Sequence, residues 1–405
     1  MRILVTSLFF HPDHSGIALY SSDFALYAAE KGHDVTVITG FPFYPNWKKR
    51  LGDRRRLFRT ERRNGIVIKR GYLYVPSKPT TFKRIIQEFT FILFVAINFL
   101  RTGKQDVVVA FTTPISLGFV SGLLKRLFKH RLVINVQDLQ LDAAASLEMV
   151  RTGAVTRVLS SLEKRSYDQS DLVASISQGM LDVVREKGVD AEKLYYWPNW
   201  IDVESVRVRG EYGAFRRRLG LSADKTLIAY AGNIGLKQGL SVLVDLAFAM
   251  KDSDNIIFLV IGAGADLQNI KTYAQKRKVQ NIVFTPFLDE KVYYDMLTDV
   301  DIVFLPQRKV NSDVYFPSKL LAILAKSKVI LVSADKASEL YKVCEDNQLG
   351  MLAQYGDISH MESLVRQCLV DPEVTLRYRL RSRQFVEQFD RRRVLDDALE
   401  RISLI

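Results

Sequence analysis

The chain has 405 residues, 48% of them hydrophobic and 25% charged, with a formal net charge of +13. This composition excludes a disordered chain, and the length exceeds what one hydrophobic core usually serves, so two domains of about 200 residues are expected. Cys344 and Cys368 are the only cysteines; no Cys/His cluster has metal-ligand spacing, which excludes a disulfide scaffold and a zinc module and fits a reducing compartment.

The opening "MRILVTSLFFHPDHSG" is too short an apolar run, and too soon interrupted by His11 and Asp13, to be a signal peptide. It reads as the first strand of a cytoplasmic protein. Ile17 to Lys31 reads as a helix closed by Gly32, and "DVTVIT" as the next strand. "DVVVAF", "RLVINVQ" and "DLVASIS" repeat the pattern, each followed by a helical stretch. Near-continuous Val/Ile/Leu runs alternating with helices predict a parallel sheet covered on both faces, an α/β doubly wound domain over 1–199. The pattern is interrupted at "YYWPNWID" and restarts with "LIAYA", "IIFLVIG", "IVFTPF", "DIVFLP" and "VILVSA". A second Rossmann-like domain over 200–385 follows, facing the first across a cleft, with a helical tail over 386–405 that packs back on the first domain.

Two segments of the first half stand apart. Residues 1–199 hold 29 Lys+Arg against 18 Asp+Glu, and much of that excess lies in "KKRLGDRRRLFRTERR". Lys48, Lys49, Arg50, Arg54, Arg55 and Arg56 there are candidate contacts for an anionic membrane or acceptor, with a solvated surface loop as the alternative. The second segment, Phe82 to Arg101, is strongly apolar, interrupted by Gln87, Glu88 and Asn98, and flanked by Lys83 and Arg84. It is too short and polar for a bilayer span; a helix in the membrane interface and a buried domain helix both fit it.

The chemistry concentrates where strands end. "GNIGLKQG" follows the strand "LIAYA", so Gly232, Gly235 and Gly239 turn the chain into a helix whose N-terminal N–H groups favour an anion, and Lys237 adds a full charge. In "NSDVYFPSKLLAILA", Pro317 suits a first helical position and places Ser318 and Lys319 in the first turn, a second anion site. Asp313 in the loop ahead is placed to accept from ribose or sugar hydroxyls. In "HPDHSGIALYSSDF", Gly16 lets backbone approach a ligand, Ser15 caps the helix, and Asp13 supplies a carboxylate at a strand end. Asp138, in "VQDLQLD", emerges in the same way. "DVD", Asp299 to Asp301, leads into a strand instead of ending one, which argues against a catalytic metal there. The GxG of "IGAGAD" lacks the third glycine of the dinucleotide fingerprint.

Together, "SGIALYSSDFALYAAEKGHDVTVIT", "FPFYPNW", "VQDLQLDAA", "WPNWID", "YAGNIGLKQGL" and "FPSKLLAILA" give a chain that resembles, over nearly its whole length, glycosyltransferase family 4 with the GT-B fold, in the WcaI/WbuB-like branch of bacterial surface-polysaccharide enzymes. The resemblance implies transfer of a sugar, fucose-like or N-acetylated, from a nucleotide-sugar to a lipid-linked acceptor in exopolysaccharide, capsule or O-antigen assembly. It implies retention at the anomeric carbon, no metal or other cofactor, no nucleic-acid partner and attachment to the cytoplasmic face of the inner membrane. UDP is expected over GDP. By the match, Gly232, Asn233, Lys237, Ser318 and Lys319 hold the diphosphate, Phe287 and Leu288 border the base, and Ser15 and Gly16 close over the phosphate. Asp13 and Asp138 stand near the reacting sugar. Three positions depart from the family pattern: Ala322 stands where a ribose-holding glutamate is usual, Asn233 where an arginine is, and Gln137 where a histidine is. Asp313 is the expected substitute for the missing glutamate. Two other functions remain compatible with these features: a nucleotide-sugar epimerase of the same fold, and a noncatalytic basic membrane adaptor.

Overall fold

The apolar runs of the first half form the middle of an eight-stranded sheet in the computed structural model, which describes residues 1–13, 16–139, 141, 154–308 and 318–405, with residues 81, 154, 155 and 318 in their backbone only. Its strands are β1 (Arg2–Ser7), β2 (Asp34–Gly40), β3 (Phe58–Arg63), β4 (Ile66–Gly71), β5 (Val107–Thr112), β6 (Arg131–Val136), β7 (Leu172–Ser175) and β8 (Leu194–Tyr196), in the order β3-β4-β2-β1-β5-β6-β7-β8. Every pairing is parallel except β3 with β4. That edge pair is absent from the predicted elements; Asn64 and Gly65 join it, with φ of 45° and 79°, the geometry of a tight two-residue hairpin.

The helices of this unit are α1 (Gly16–Glu30), α2 (Thr81–Leu100), α3 (Ser116–Phe128), α4 (Ala154–Gln169) and α5 (Gln178–Glu186). Helix α2 takes both readings open to its sequence, one on each side. Gln87, Phe91, Val95, Asn98 and Phe99 are buried, while Phe82, Ile85, Phe89 and Leu93 are exposed. Among the described residues no helix is long and apolar enough to cross a membrane.

The second unit carries β9 (Thr226–Ala231), β10 (Ile256–Ile261), β11 (Ile282–Thr285), β12 (Ile302–Gln307), β13 (Val329–Ala334) and β14 (Met351–Gln354) in an all-parallel sheet of order β11-β10-β9-β12-β13-β14. Its helices are α6 (Val203–Val208), α7 (Ala214–Leu219), α8 (Ser241–Ala249), α9 (Leu267–Lys276), α10 (Glu290–Asp299), α11 (Ser318–Ala325), α12 (Glu339–Asp346), α13 (Ile358–Val370) and α14 (Pro372–Val386). Two apolar clusters cover the two faces of this sheet, one around Leu227, Leu259 and Leu305 and the other around Ile228, Phe258 and Phe304. Adjacent strand residues thus alternate between faces and are buried on both.

The units comprise 1–199 with 393–405, and 200–392. The expected tail over 386–405 is therefore divided. Residues 386–392 stay with the second unit because Val386 and Phe389 are buried and Asp390 pairs with Ile201. The last helix, α15 (Arg391–Ser403), lies for most of its length on the first unit. Tyr27 donates to Asp396 at 2.8 Å, Lys31 pairs with the same carboxylate at 2.6 Å, and Tyr195 donates to Asp397.

Candidate functional site

In the second sheet the connections from β9 proceed one way, to β10 and β11, and those from β12 the other way, to β13 and β14. Between β9 and β12 the strand order reverses, and loops leaving the two strands part toward opposite faces, opening a crevice beyond their carboxyl ends. Gly232 leaves β9 at that point, and α11 with Ser318 and Lys319 follows β12. The backbone N–H of Arg308, just past β12, donates to the Lys237 carbonyl at 3.1 Å. The GNIGLKQG turn and the exit of β12 are thus tied together.

Lys319 is the centre of this cluster. Its Nζ sits 4.4 Å from the centroid of the Tyr230 ring, and a Cβ added to Gly232 would lie 3.3 Å from that ammonium. Glycine leaves the space beside the charge open. Burial alone pushes the Lys319 pKa down from 10.5 to about 8, with no carboxylate among the described residues contributing. The Tyr230 hydroxyl donates to the Asn233 carbonyl at 2.5 Å, which fixes the ring under the lysine. Tyr230 is absent from the predicted site, because a tyrosine inside a Val/Ile/Leu run reads as core.

The glycine turn is built differently from the expected bare helix N-terminus. A 3-10 turn, Leu236–Gln238, intervenes before α8. The N–H groups of Gly232, Ile234 and Gly235 are engaged by Ile261 O, Ala263 O and Gln238 Oε1. The first two of these bonds explain the second GxG. Gly262 and Gly264 run against the Gly232–Ile234 backbone so closely that a Cβ would meet Gly232 O at 1.9 Å and Ile234 O at 2.1 Å. They serve the packing of one strand-end turn on another.

Of the remaining second-unit residues, Asn233 and Lys237 are exposed. Phe287 is 62% exposed, whereas Leu288 packs partly buried against the core, so Phe287 alone of that pair presents a free face. Ala322 is buried in the same core. The carboxylates of "DVD" serve the fold: Asp299 accepts from the N–H groups of Gly213, Phe215 and Arg216, and Asp301 accepts from Arg216 and from Leu227 N–H. Asp313 lies outside the described residues, and of Ser318 only its place at the start of α11 is described.

In the first unit the order reverses between β1 and β5. Asp13, beyond β1, is 8% exposed, and its Oδ1 accepts from the N–H groups of Phe43 and Tyr44 at 2.9 and 2.8 Å. That oxygen anchors the loop leaving β2. Arg70, which the sequence does not single out, holds carbonyls of the loops leaving β1 and β2. It is 2% exposed, donates to His11 O at 2.6 Å and Gly40 O at 3.1 Å, and pairs with Glu61. Rings of Phe9, Phe43, Tyr44 and Trp47 contact one another at 5.5 to 5.8 Å. Asp138 follows β6 and is partly buried; Gln137 is buried and donates to Asn135 Oδ1 at 2.6 Å. Gly16 begins α1 with nothing within 4 Å of an added Cβ. Ser15 lies outside the described residues.

Lys48, Arg50, Arg54, Arg55, Arg56 and Arg84 are exposed and Lys83 partly so. Lys49 is the exception to the basic surface. Its ammonium donates to Leu73 O at 2.9 Å and lies 3.8 Å from the Tyr72 ring centroid.

Known proteins match this architecture. A glycosyl transferase 4-like domain matches residues 15–200, and a glycosyl transferases group 1 domain matches residues 212–385. WcaI of Escherichia coli K12, described as a glycosyl transferase of colanic acid biosynthesis, is 29% identical over 92% of this chain and 93% of its own. Among solved structures, sucrose-phosphate synthase from Thermosynechococcus elongatus superposes with a TM-score of 0.75 at 16% identity, covering 99% of this chain and 98% of its own. WaaG, a glycosyltransferase of lipopolysaccharide biosynthesis, gives 0.67 at 15%, with 99% of each chain covered. HepE of Anabaena, in complex with UDP-glucose, gives 0.70 at 14%, with 100% of each covered. The chain belongs to the glycosyltransferases, with the GT-B fold of two Rossmann-like domains. Within them it is a family 4 enzyme of the WcaI-like branch.

Proposed function

We propose that the chain transfers a sugar from a UDP-sugar to a lipid-linked acceptor in the assembly of a bacterial surface polysaccharide, with retention at the anomeric carbon. The observation that carries the donor half is the Lys319 ammonium at the β9/β12 switch point, held over Tyr230 and beside the open Gly232, with no carboxylate partner among the described residues. A cation withdrawn from water without a counter-charge is stabilised by a ligand that brings one, and a diphosphate does so. Lys237, Asn233 and Ser318 complete the phosphate contacts in this reading, and Phe287 borders the base. HepE, whose solved complexes hold UDP and UDP-glucose, supports uridine. WcaI supports the polysaccharide.

The lysines stabilise the charge that grows on the leaving diphosphate, which itself takes the acceptor proton; no metal or cofactor is assigned. Such a mechanism asks the protein mainly for position and fixed charge. Asp13 contributes by holding the Phe43–Tyr44 loop and Asp138 by its place at the end of β6. The enzyme works in the cytoplasm at the inner membrane. The test is a panel of UDP- and GDP-sugars incubated with purified protein and lipid-diphosphate acceptors. Acceptor-dependent release of UDP is expected. Altered sugar and nucleotide released from donor alone would mark an epimerase, and an absence of both binding and turnover for every donor would overturn the proposal.

A further inference from the structure

A cavity of about 490 Å³ opens in the first unit where α3 and α4 end and β6 and β7 begin. It lies at the opposite end of the parallel strands from Asp13 and Asp138. His130 lines it at 1% exposure. The ring packs on Phe99 at 5.3 Å, and neither of its nitrogens has a hydrogen-bond partner of full geometry among the described residues. Burial pushes its pKa down to about 4 against an opposing pull from the Ser121 backbone, so the imidazole is neutral at pH 7. Gln169 Oε1 is likewise buried and without a partner among the described residues. Gly122 keeps room for it, since a Cβ there would stand 2.0 Å from that oxygen. Buried polar atoms are nearly always hydrogen-bonded, and two side chains that are not, on one cavity, mark the place of a polar guest.

Charge narrows the guest. Lys125 is occupied: its ammonium donates to the Gln169 carbonyl at 3.0 Å and pairs with Asp171 at 2.7 Å. Arg126, Lys129 and Arg131 line the same cavity from exposed positions, and none of them pairs with a carboxylate among the described residues. The carboxyl ends of α3 and α4 bring roughly half a negative charge each. Set against the four cations together with Asp171, they leave about two positive charges uncompensated. Lys129 adds a second sign. Its φ is 55°, left-handed backbone that favours glycine. An exposed lysine is held there against that preference, and packing gives it no reason to stay.

The residual charge matches the dianion of a phosphate monoester, and the guanidinium forks of Arg126 and Arg131 suit its oxygens. The imidazole of His130 and the amide oxygen of Gln169 suit hydroxyl groups. Apart from that imidazole, no aliphatic or aromatic side chain lines the cavity, so neither an acyl chain nor a nucleobase meets an apolar face. We propose that this cavity is a second ligand site of the chain, one that takes a small soluble phosphate ester rich in hydroxyls, a sugar phosphate. The length of β6 separates it from Asp138 by roughly 20 Å, so its ligand is an effector and not the sugar transferred. The site belongs to the first unit, Lys319 to the second, and the proposal stands independently of the reaction proposed above.

The experiment is calorimetric titration of the full chain with glucose 6-phosphate, and with inorganic phosphate and glucose as its separate halves. Saturable binding of glucose 6-phosphate is expected in the wild type and in Lys319→Met alike, tighter than that of inorganic phosphate and absent for glucose. Arg126→Gln combined with Lys129→Gly is expected to weaken it by roughly tenfold or more. The same double variant should keep or raise the melting temperature, because glycine relieves the left-handed backbone at 129. A structural role for these side chains predicts a fall instead. Wild-type protein that takes up neither phosphate compound overturns the site, and so does a folded double variant that binds like the wild type. Binding lost in Lys319→Met would place the anion in the second unit and overturn it too. Glucose 6-phosphate held no more tightly than inorganic phosphate overturns the sugar phosphate. Sedimentation with phosphatidylglycerol vesicles that the double variant abolishes, with glucose 6-phosphate unbound, would give the cations to a lipid headgroup and overturn the soluble ligand.

Discussion

Lys319 carries the chemistry proposed for the second unit and also a cost to its stability. Taking its ammonium out of water moves the pKa from 10.5 to about 8, so replacing it by a residue of similar shape relieves a desolvation penalty. Lys319→Met is expected to raise stability by on the order of 2 kcal/mol at pH 7, and to abolish the rise in melting temperature that UDP produces. Thermal shift with and without UDP reads both effects. The sign with pH follows from the same displacement. The folded chain releases this proton near pH 8 and the unfolded chain near 10.5, so the fold gains stability as pH rises through that window. Donor affinity moves the opposite way, because the ammonium that meets the diphosphate is lost. Calorimetric titration of UDP from pH 7 to 10 is expected to show weakening that begins above about pH 8. Neither Tyr230 nor Arg70 was legible in the sequence. One looks like core and the other like surface charge, and only the tertiary arrangement places a ring under an ammonium or a guanidinium under two loop carbonyls.

At the scale of elements, the strands of both central sheets were legible because strands buried on both faces must be continuous Val/Ile/Leu runs. The edge hairpin β3–β4 was not. "FRTERR" has the charged composition of a solvated loop, yet the Asn64–Gly65 pair between it and "IVIKRG" is a strong short-range hairpin signal. The strand-end turns were legible in position and less so in purpose. Gly232 does face the Lys319 charge, while Gly262 and Gly264, the GxG that lacks the third glycine of the dinucleotide fingerprint, are required by backbone packing. Gly262→Ala would drive a Cβ to 1.9 Å from Gly232 O and is expected to cost about 3 kcal/mol or more. Gly52→Ala, which meets nothing within 4 Å, should stay within about 0.5 kcal/mol. Urea denaturation of the two variants checks the contrast.

At the scale of the molecule, the first unit depends on residues from both ends of the sequence. Val394, Leu395, Ala398, Leu399 and Ile402 of α15 are buried, and the helix is fastened by Tyr27, Lys31 and Tyr195. Deleting 393–405 removes that apolar surface and is expected to cost the first unit about 5 kcal/mol or more. Hydrogen exchange should show α1 and β8 losing protection while the β9–β14 sheet retains it. The second unit has no such dependence, being drawn from one continuous stretch, 200–392.

That discontinuity orders events during synthesis. The closing helix of the first unit is encoded after the whole of the second, so its binding surface on α1 and β8 waits, uncovered, until the ribosome has translated the intervening 193 residues. A nascent chain stalled before Arg393 therefore displays a half that is long since made and still unfinished.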